Sequence, residues 1–219
     1  MFYCDVLVPG PWWHGLTYSV ESPAAIGARV VVPLGRGERI GFVRRMDEHP
    51  PEKETSFTLR AVKSVIDEIS LFPPALWDLF EWGGGVFLCG AGELLRLGTP
   101  SSLLSSADPV LLPQPLDARE VPRKEERFFY SCDLKERWRI YLELLEHDGP
   151  FLVLFPEQSL AGAFWKYLPE NLKETSILWP PQGGKKLLSA WIAARRNTPQ
   201  GIIGGPGAEI GRASCRERV

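Results

Sequence analysis

The residue types best suited to binding chemistry in this chain are arginines and tryptophans near its N-terminus. Arg36, Arg39 and Arg60 each carry a guanidinium, which can hold a phosphate with two hydrogen bonds where a lysine acts as a point charge. Trp12 and Trp13 lie between prolines and glycines that favour a surface segment, where an exposed indole offers a flat face for a nucleobase. The pattern is compatible with binding of a phosphate group and stacking of a nucleobase.

Each of these assignments has a purely structural alternative. Tryptophans commonly close a hydrophobic core, and a strand arginine such as Arg60 commonly lies on a solvated face. The segment around Arg36 and Arg39 is also compatible with a solvated hairpin of any small barrel, since a short motif is only a hypothesis.

A predicted β-hairpin positions Arg36 and Arg39. Two β-rich runs, 29–34 and 39–45, flank Gly35-Arg36-Gly37-Glu38, and glycines tolerate the positive φ angles of a turn. Pro33 cannot donate to a central ladder, so it marks a strand end or a bulge, and Gly41 lets another backbone or a ligand approach closely. The arginines predicted around that approach are Arg36, Arg39, Arg44 and Arg45.

The other N-terminal elements are predicted from hydrophobic periodicity. Strands are expected over 2–8, 16–20 and 58–66. From residue 73 the period becomes helical, and two helices are expected by residue 98. Gly83-Gly84-Gly85 should end or kink the first helix, because each glycine costs roughly 1 kcal/mol relative to alanine inside a helix.

Composition divides the rest of the chain into three segments. Residues 101–126 are rich in Ser, Pro and charge and are interpreted as a linker. Residues 127–205 alternate strand and helix, which is the pattern of a parallel sheet with crossover helices. Residues 206–219 include a stretch without apolar periodicity and are interpreted as a non-native tail, outside the fold.

Composition also excludes several classes of protein. With 44% hydrophobic and 24% charged residues, the 219-residue chain can bury a core in one or two domains. No eighteen-residue apolar stretch and no signal-peptide order occur, so we expect a cytoplasmic protein with no membrane partner. The four cysteines have no metal-ligand spacing, and a net charge of −2 argues against non-specific coating of nucleic acid while permitting a small positive pocket.

Several short motifs occur in a fixed order over the first hundred residues. They are Val8-Pro9, Tyr18, Gly27-x-Arg29-Val30-x-Val32-Pro33-Leu34-Gly35, Arg39-Ile40-Gly41, Leu59-Arg60-Ala61-Val62 and the helical run 73–100. Their order and spacing resemble the 3′-end DNA-binding domain of the primosomal protein N′ family, the PriA replication-restart helicases. The resemblance implies an α+β protein whose residues 1–100 form a DNA-binding domain, with a small β-barrel over 1–68 and helices over 73–98.

The resemblance also implies which residues bind DNA. In the family, the loop before the tyrosine ends in Phe-Asp and helps hold the terminal nucleotide; here Leu16 and Thr17 supply neither the aromatic face nor the carboxylate. Stacking would then have to pass to Trp12 or Trp13. The full predicted DNA-binding set is Gly35, Arg60, Tyr18, Leu16, Thr17, Trp12, Trp13, Arg36 and Arg39.

Residues 127–205 resemble part of the first, RecA-like motor lobe of the same family. The matching segment is Phe155-Pro156-Glu157-Gln158-Ser159-Leu160. The full family uses ATP and zinc, but no cofactor is expected here, because a phosphate loop needs G-x-x-x-x-G-K-[ST] whereas residues 130–137 contain no glycine and carry Asp133 and Glu136. Gly183-Gly184-Lys185-Lys186 lacks the first glycine of that motif.

Three functional hypotheses follow from these observations. The first is a DNA-binding protein of replication restart and primosome assembly that binds fork or 3′-end DNA without motor activity. Primosome or single-strand-binding proteins would be its further partners. The second is a truncated ATP-dependent 3′→5′ DNA helicase, and the third is a protein-interaction module with no nucleic-acid role.

Overall fold

The chain folds into two compact units, one chiefly before and one chiefly after residue 114. The computed structural model describes residues 1–50, 59–112, 133–145, 149–181, 184–196 and 199–208. Within these ranges no helix is long and apolar enough to cross a membrane. The mixed α+β class predicted from the sequence is confirmed.

The first unit is built on a five-stranded sheet in the order β2-β1-β4-β3-β5, with neighbouring strands antiparallel. Its strands are β1 (Phe2–Leu7), β2 (Leu16–Val20), β3 (Arg29–Leu34), β4 (Gly37–Asp47) and β5 (Ser64–Val65). The first two predicted strands and the hairpin are therefore confirmed. The third predicted strand is reduced to β5, and its first residue lies outside the described residues.

Residues 60–66 explain both the short β5 and the barrel-like shape. The Ser19 amide donates to the Arg60 carbonyl at 3.0 Å, and the Val62 amide donates to the Ser19 carbonyl at 2.8 Å, so this segment begins alongside β2. One residue later the Lys63 amide donates to the Val31 carbonyl at 2.9 Å, which attaches the segment to β3. Because the segment pairs first with β2 and then with β3, it is interrupted as a strand, and it connects the β2 edge of the sheet to β3.

Alternate side chains along the strands pack together in a buried hydrophobic cluster on one face of this sheet. The buried cluster consists of Cys4, Val6, Val8, Tyr18, Val20, Val30, Val32 and Val43. Gly41 is needed here because a Cβ at its position would lie 2.4 Å from Val6 Cγ1, so the close approach predicted for this glycine is that of β1. Burial raises the pKa of the Cys4 thiol to about 11, which keeps it protonated and unreactive.

Three helices follow the sheet: α1 (Pro74–Phe87), α2 (Ala91–Gly98) and α3 (Ser101–Ser105). Of the two outcomes predicted for the three glycines, an end of the first helix is excluded, since α1 continues to Phe87. A Cβ on Gly83 would lie 2.7 Å from Leu94 Cδ1, and one on Gly84 would lie 3.1 Å from the Cys89 carbonyl oxygen. These glycines therefore let α2 turn back closely against α1.

Alanine substitutions at two adjacent glycines of α1 should separate helix propensity from this close approach. Gly85→Ala should raise the free energy of unfolding by about 1 kcal/mol, because alanine is the better helix former and its Cβ would meet nothing within 4 Å. Gly84→Ala should forfeit that gain, because its Cβ would press on backbone. Urea unfolding of both variants measures the difference, and equal stabilisation would contradict the close-packing role.

Residues 101–112 belong to the first unit, although they were predicted to be part of a linker. The fully buried Arg29 side chain donates from Nη1 to the Leu103 and Ser106 carbonyls at 3.0 and 2.9 Å, and from Nη2 to the Asp108 carbonyl at 2.8 Å. Its other face pairs with buried Asp67, with Nε–Oδ2 at 2.7 Å. The linker prediction fails here because these carbonyls complete the hydrogen bonding of a buried guanidinium; the rest of that segment lies outside the described residues.

The second unit contains a three-stranded parallel sheet in the order β6-β8-β7. Its elements are α4 (Leu134–Leu145), β6 (Phe151–Leu154), α5 (Gln158–Tyr167), α6 (Glu170–Glu174), β7 (Ser176–Leu178), β8 (Gly201–Gly204) and, from residue 189 onward, α7 (Lys185–Arg195). The predicted parallel sheet with crossover helices is confirmed, except for a strand predicted near residue 130, which lies outside the described residues.

One side chain, that of Gln158, connects two segments at the carboxyl-terminal edge of this sheet. Gln158, within the motif that resembles the motor lobe, donates from Nε2 to the Trp179 carbonyl at 2.8 Å and accepts from the Gly205 amide at 3.2 Å. It therefore joins the segments that follow β7 and β8. Ala208 is fully buried, so the predicted tail is wrong for its first residues, 206–208, and the remainder lies outside the described residues.

Candidate nucleic-acid interface

The turn of the β3–β4 hairpin forms the centre of the candidate site. Leu34 pairs with Gly37, which leaves Gly35 and Arg36 as a two-residue turn, and Gly35 has the positive φ of 60° that favours glycine at the first turn position. Arg60 Nη1 donates to the Gly35 carbonyl at 3.2 Å. Because the Arg60 backbone is bonded to β2, its side chain joins the opposite side of the barrel to the turn.

Four exposed cations gather at this turn and are called the tip cluster: Arg36, Arg39, Arg60 and Lys63. Lys63 forms an ion pair with Glu38, and Arg39 Nη1 donates to the Glu38 carbonyl at 3.0 Å. Within the described part of the chain, none of the three arginines pairs with a carboxylate. Four cations against one carboxylate leave a formal charge of +3, which suits binding of phosphate groups.

Arg44 and Arg45 do not belong to this cluster, contrary to the sequence-based expectation. Arg44 Nη1 lies 3.2 Å from Asp5 Oδ2 and its Nε lies 2.6 Å from Glu81 Oε1, while Arg45 Nε lies 2.9 Å from Asp47 Oδ2. Both occupy the end of β4 remote from the turn. Their charges are neutralised locally, and Arg44 connects α1 to the sheet.

Tyr18 supports the turn from inside the barrel. Its side chain is only 4% exposed, and its hydroxyl donates to the Pro33 carbonyl at 3.1 Å. Burial raises the pKa of the Tyr18 hydroxyl, with the positive charge of Arg60 acting in the opposite direction. Tyr18 is therefore placed to position the strand that leads into the turn, and its ring is not a free surface.

Leu16 and Thr17, the positions that carry Phe-Asp in the resembled family, face different environments. Leu16 packs on the buried cluster of the barrel. Thr17 is half-buried and pairs across the ladder with Asp5, the nearest carboxylate in register. Asp5 is already engaged by Arg44, so it does not supply a free substitute for the carboxylate missing at Thr17.

The loop over residues 9–15, called the Trp loop, presents both of its tryptophans to solvent. Trp12 is 39% and Trp13 is 61% exposed, so the predicted surface location is confirmed. The loop rests on the start of α2, because a Cβ on Gly90 would lie 1.9 Å from the Trp12 carbonyl oxygen. Gly92 allows a similar approach by the Val8 carbonyl oxygen, at 2.4 Å.

The strand register keeps the Trp loop apart from the Gly35–Arg36 turn along β4: β1 ends opposite Phe42, where β3 begins, whereas β3 ends opposite Gly37. β1 and β3 are both antiparallel to β4, so they run in the same direction. The Trp loop follows β1 and the Gly35–Arg36 turn follows β3. The exposed indoles and the tip cluster are therefore two separate surfaces of the first unit.

Two features of this site were missed by the sequence reasoning. In a regular strand, Arg60 and Lys63 would point to opposite faces, and only the change of pairing partner between them brings both to the hairpin. The glycines of α2 that hold the Trp loop were interpreted as part of a family-like helical run. The sequence feature that could have identified Lys63 as part of the site was its positive charge, three residues after Arg60, in an otherwise apolar strand pattern.

The fold and the charge distribution define a small β domain suited to nucleic-acid binding. Residues 5–100 match the family model described as the 3′ DNA-binding domain (3′BD) of PriA. Replication restart protein PriA of Haemophilus influenzae is 31% identical over 78 residues, which make up 36% of this chain and 10% of that protein. Residues 5–100 are therefore similar to the 3′ DNA-binding domain of PriA, and the chain matches about a tenth of the relative's length.

Proposed function

We propose that this chain binds DNA at a branched fork or a nascent-strand 3′ end and serves replication restart. The observation that carries the proposal is the contact between Arg60 and the Gly35 carbonyl at the hairpin turn, within the domain that matches the PriA family. Arg60 uses one N–H in that contact and keeps others for a phosphate. A cytoplasmic location, and partners among primosome or single-strand-binding proteins, are parts of the same proposal.

The open space above the turn supports a ligand at this position. A Cβ on Gly35 would meet no atom within 4 Å, so a sugar or base can approach the turn backbone without displacing a side chain. Arg36 and Arg39, which pair with no carboxylate among the described residues, flank that space and can bind the phosphates of the approaching strand. Tyr18 and Pro33 hold the turn in place from below.

Salt dependence of DNA affinity tests the proposal against the protein-interaction alternative. Fluorescence anisotropy on labelled fork DNA should show an affinity that falls steeply between about 50 and 200 mM salt, since phosphate contacts release counterions. An affinity for DNA too weak to detect at the lower salt concentration would favour a protein partner instead.

Trp13→Ala should weaken binding to a free 3′ end by about tenfold, because stacking of a base on an aromatic side chain is worth about 1–3 kcal/mol. Trp13 is chosen because it is the more exposed of the two indoles. The salt slope and the melting temperature should not change. A lower melting temperature with unchanged end preference would assign Trp13 to structure.

We further propose that this chain has no motor activity of its own. Asp133 Oδ1 accepts from the Lys135 and Glu136 amides at 2.8 and 3.4 Å, so a carboxylate already caps the helix end at which a phosphate loop would hold its ligand. The absence of glycine from residues 130–137 of the sequence supports the same conclusion.

ATP hydrolysis by the full chain should therefore equal the no-protein background, with and without fork DNA. A coupled-enzyme assay measures this directly. DNA-stimulated hydrolysis that is lost in a Lys135→Ala or Lys185→Ala variant would instead support a truncated helicase.

A further inference from the structure

Helix α1 carries apolar side chains on two opposite faces. Its inner face buries Leu76, Trp77 and Phe80 against the rest of the first unit. Its outer face carries a second row, Ala75, Leu79, Trp82 and Val86, at spacings of four, three and four residues. Residues at these spacings form one continuous stripe along a helix.

This outer stripe is open to solvent along its length. Leu79 is 47%, Trp82 62% and Val86 52% exposed. Isolated exposed apolar residues are ordinary, but a row that repeats with the period of a helix seam matches the surface onto which another helix packs. The row extends over about three turns, or roughly 17 Å.

The charged residue of α1 that borders the stripe, Asp78, is acidic. Asp78 and Glu81 are the charged residues of α1, which has no lysine or arginine. Glu81 shares Arg44 with Asp5, so two carboxylates face one guanidinium there, and Asp78 has no ion-pair partner among the residues that the structure describes. Asp78, three residues after Ala75 and four before Trp82, therefore borders the stripe directly, whereas Glu81 contacts Arg44 of the sheet.

The acidic charge beside the stripe favours some binding partners over others. DNA is disfavoured, because stacking platforms for nucleic acid combine aromatic side chains with cations, and here the border is acidic. A second copy of α1 would bring its own carboxylates and no cation. A helix with apolar side chains on one face and lysine or arginine beside them complements both the stripe and its border.

We propose that the stripe formed by Ala75, Leu79, Trp82 and Val86 is a docking surface for a basic amphipathic helix of a partner protein. Trp82, as the largest exposed side chain of the row, is the central anchor of this interface. Asp78 sets its charge preference. The surface is separate from the tip cluster and from the Trp loop in its residues.

Two fluorescent synthetic peptides of roughly twenty residues test the proposal with the full chain. Both carry the same leucine heptad face, and one has lysines and the other glutamates beside it. The lysine peptide should bind about tenfold or more tightly than the glutamate peptide. Trp82→Glu should weaken lysine-peptide binding about tenfold or more, and Asp78→Lys should remove or reverse the preference.

Val65→Glu, which changes an exposed apolar residue of β5, is the matched control and should bind the lysine peptide like the unaltered chain. Melting temperatures should be unchanged in all three variants, because each altered side chain is exposed. Equal binding of the two peptides, no binding of either, or full binding by Trp82→Glu would overturn the proposal. A dimer of the unaltered chain that Trp82→Glu dissociates would assign the stripe to a second copy, and displacement of the peptide by oligo(dT) would assign it to DNA; either result would also overturn it.

Discussion

Arg29→Met is expected to lower the free energy of unfolding of the first unit by about 3–5 kcal/mol, because it leaves the buried Asp67 carboxylate without its partner. The same change leaves the carbonyls of Leu103, Ser106 and Asp108 without the donor that now satisfies them. Since small domains are stable by only about 5–15 kcal/mol, much of the stability of this unit should be lost. Urea unfolding followed by circular dichroism measures the change.

Arg139→Met provides the matched control for this experiment. Arg139 also pairs with a carboxylate, that of Glu143 one helical turn away, but both side chains are more than half exposed. Exposed pairs are worth about 0–1 kcal/mol, so its removal should change little. If Arg29→Met stayed within about 1 kcal/mol of the unaltered chain, the buried pair would not hold residues 101–112 against the sheet.

Arg60→Ala is expected to weaken binding to fork DNA by about tenfold and to lower the salt slope by about one unit. The side chain joins the barrel to the hairpin turn and has no carboxylate partner in the described ranges, so its charge remains available to a phosphate. Its contact with the Gly35 carbonyl is exposed, and the loss in stability should be small. Fluorescence anisotropy across a salt series measures affinity and slope together.

Arg45→Ala separates this effect from a general loss of positive charge. Arg45 is equally an arginine of the first unit, but its charge is paired with Asp47 and it lies away from the turn. Its removal should leave the salt slope nearly unchanged. The same slope in both variants would show that Arg60 makes no phosphate contact of its own.

The sequence predicted the hairpin and the parallel sheet well because both follow from local patterns. The β3–β4 turn follows from Gly35 between β-rich runs, and the second sheet follows from alternating apolar strands and helices. The Arg29–Asp67 pair was not predicted, because it joins residues 38 positions apart and its other acceptors are backbone carbonyls. No spacing rule in a single sequence marks such a partner.

The glycines of α1 and the members of the tip cluster illustrate the same limit. The prediction for Gly83 and Gly84 used only their low helix propensity, whereas their role depends on the close packing of α2 against α1. Lys63 joins Arg60 only because the chain changes pairing partner between them. The exposure of the Trp loop, in contrast, was predictable from its flanking Pro and Gly residues.

The most direct test of the central claim compares two fork DNAs that differ only at the nascent-strand 3′ end, one free and one blocked by a bulky group. Fluorescence anisotropy at fixed salt should show that the full chain binds the free end about tenfold more tightly, and that Arg60→Ala weakens binding to both. Equal affinity for the free and blocked ends would contradict 3′-end recognition by this domain.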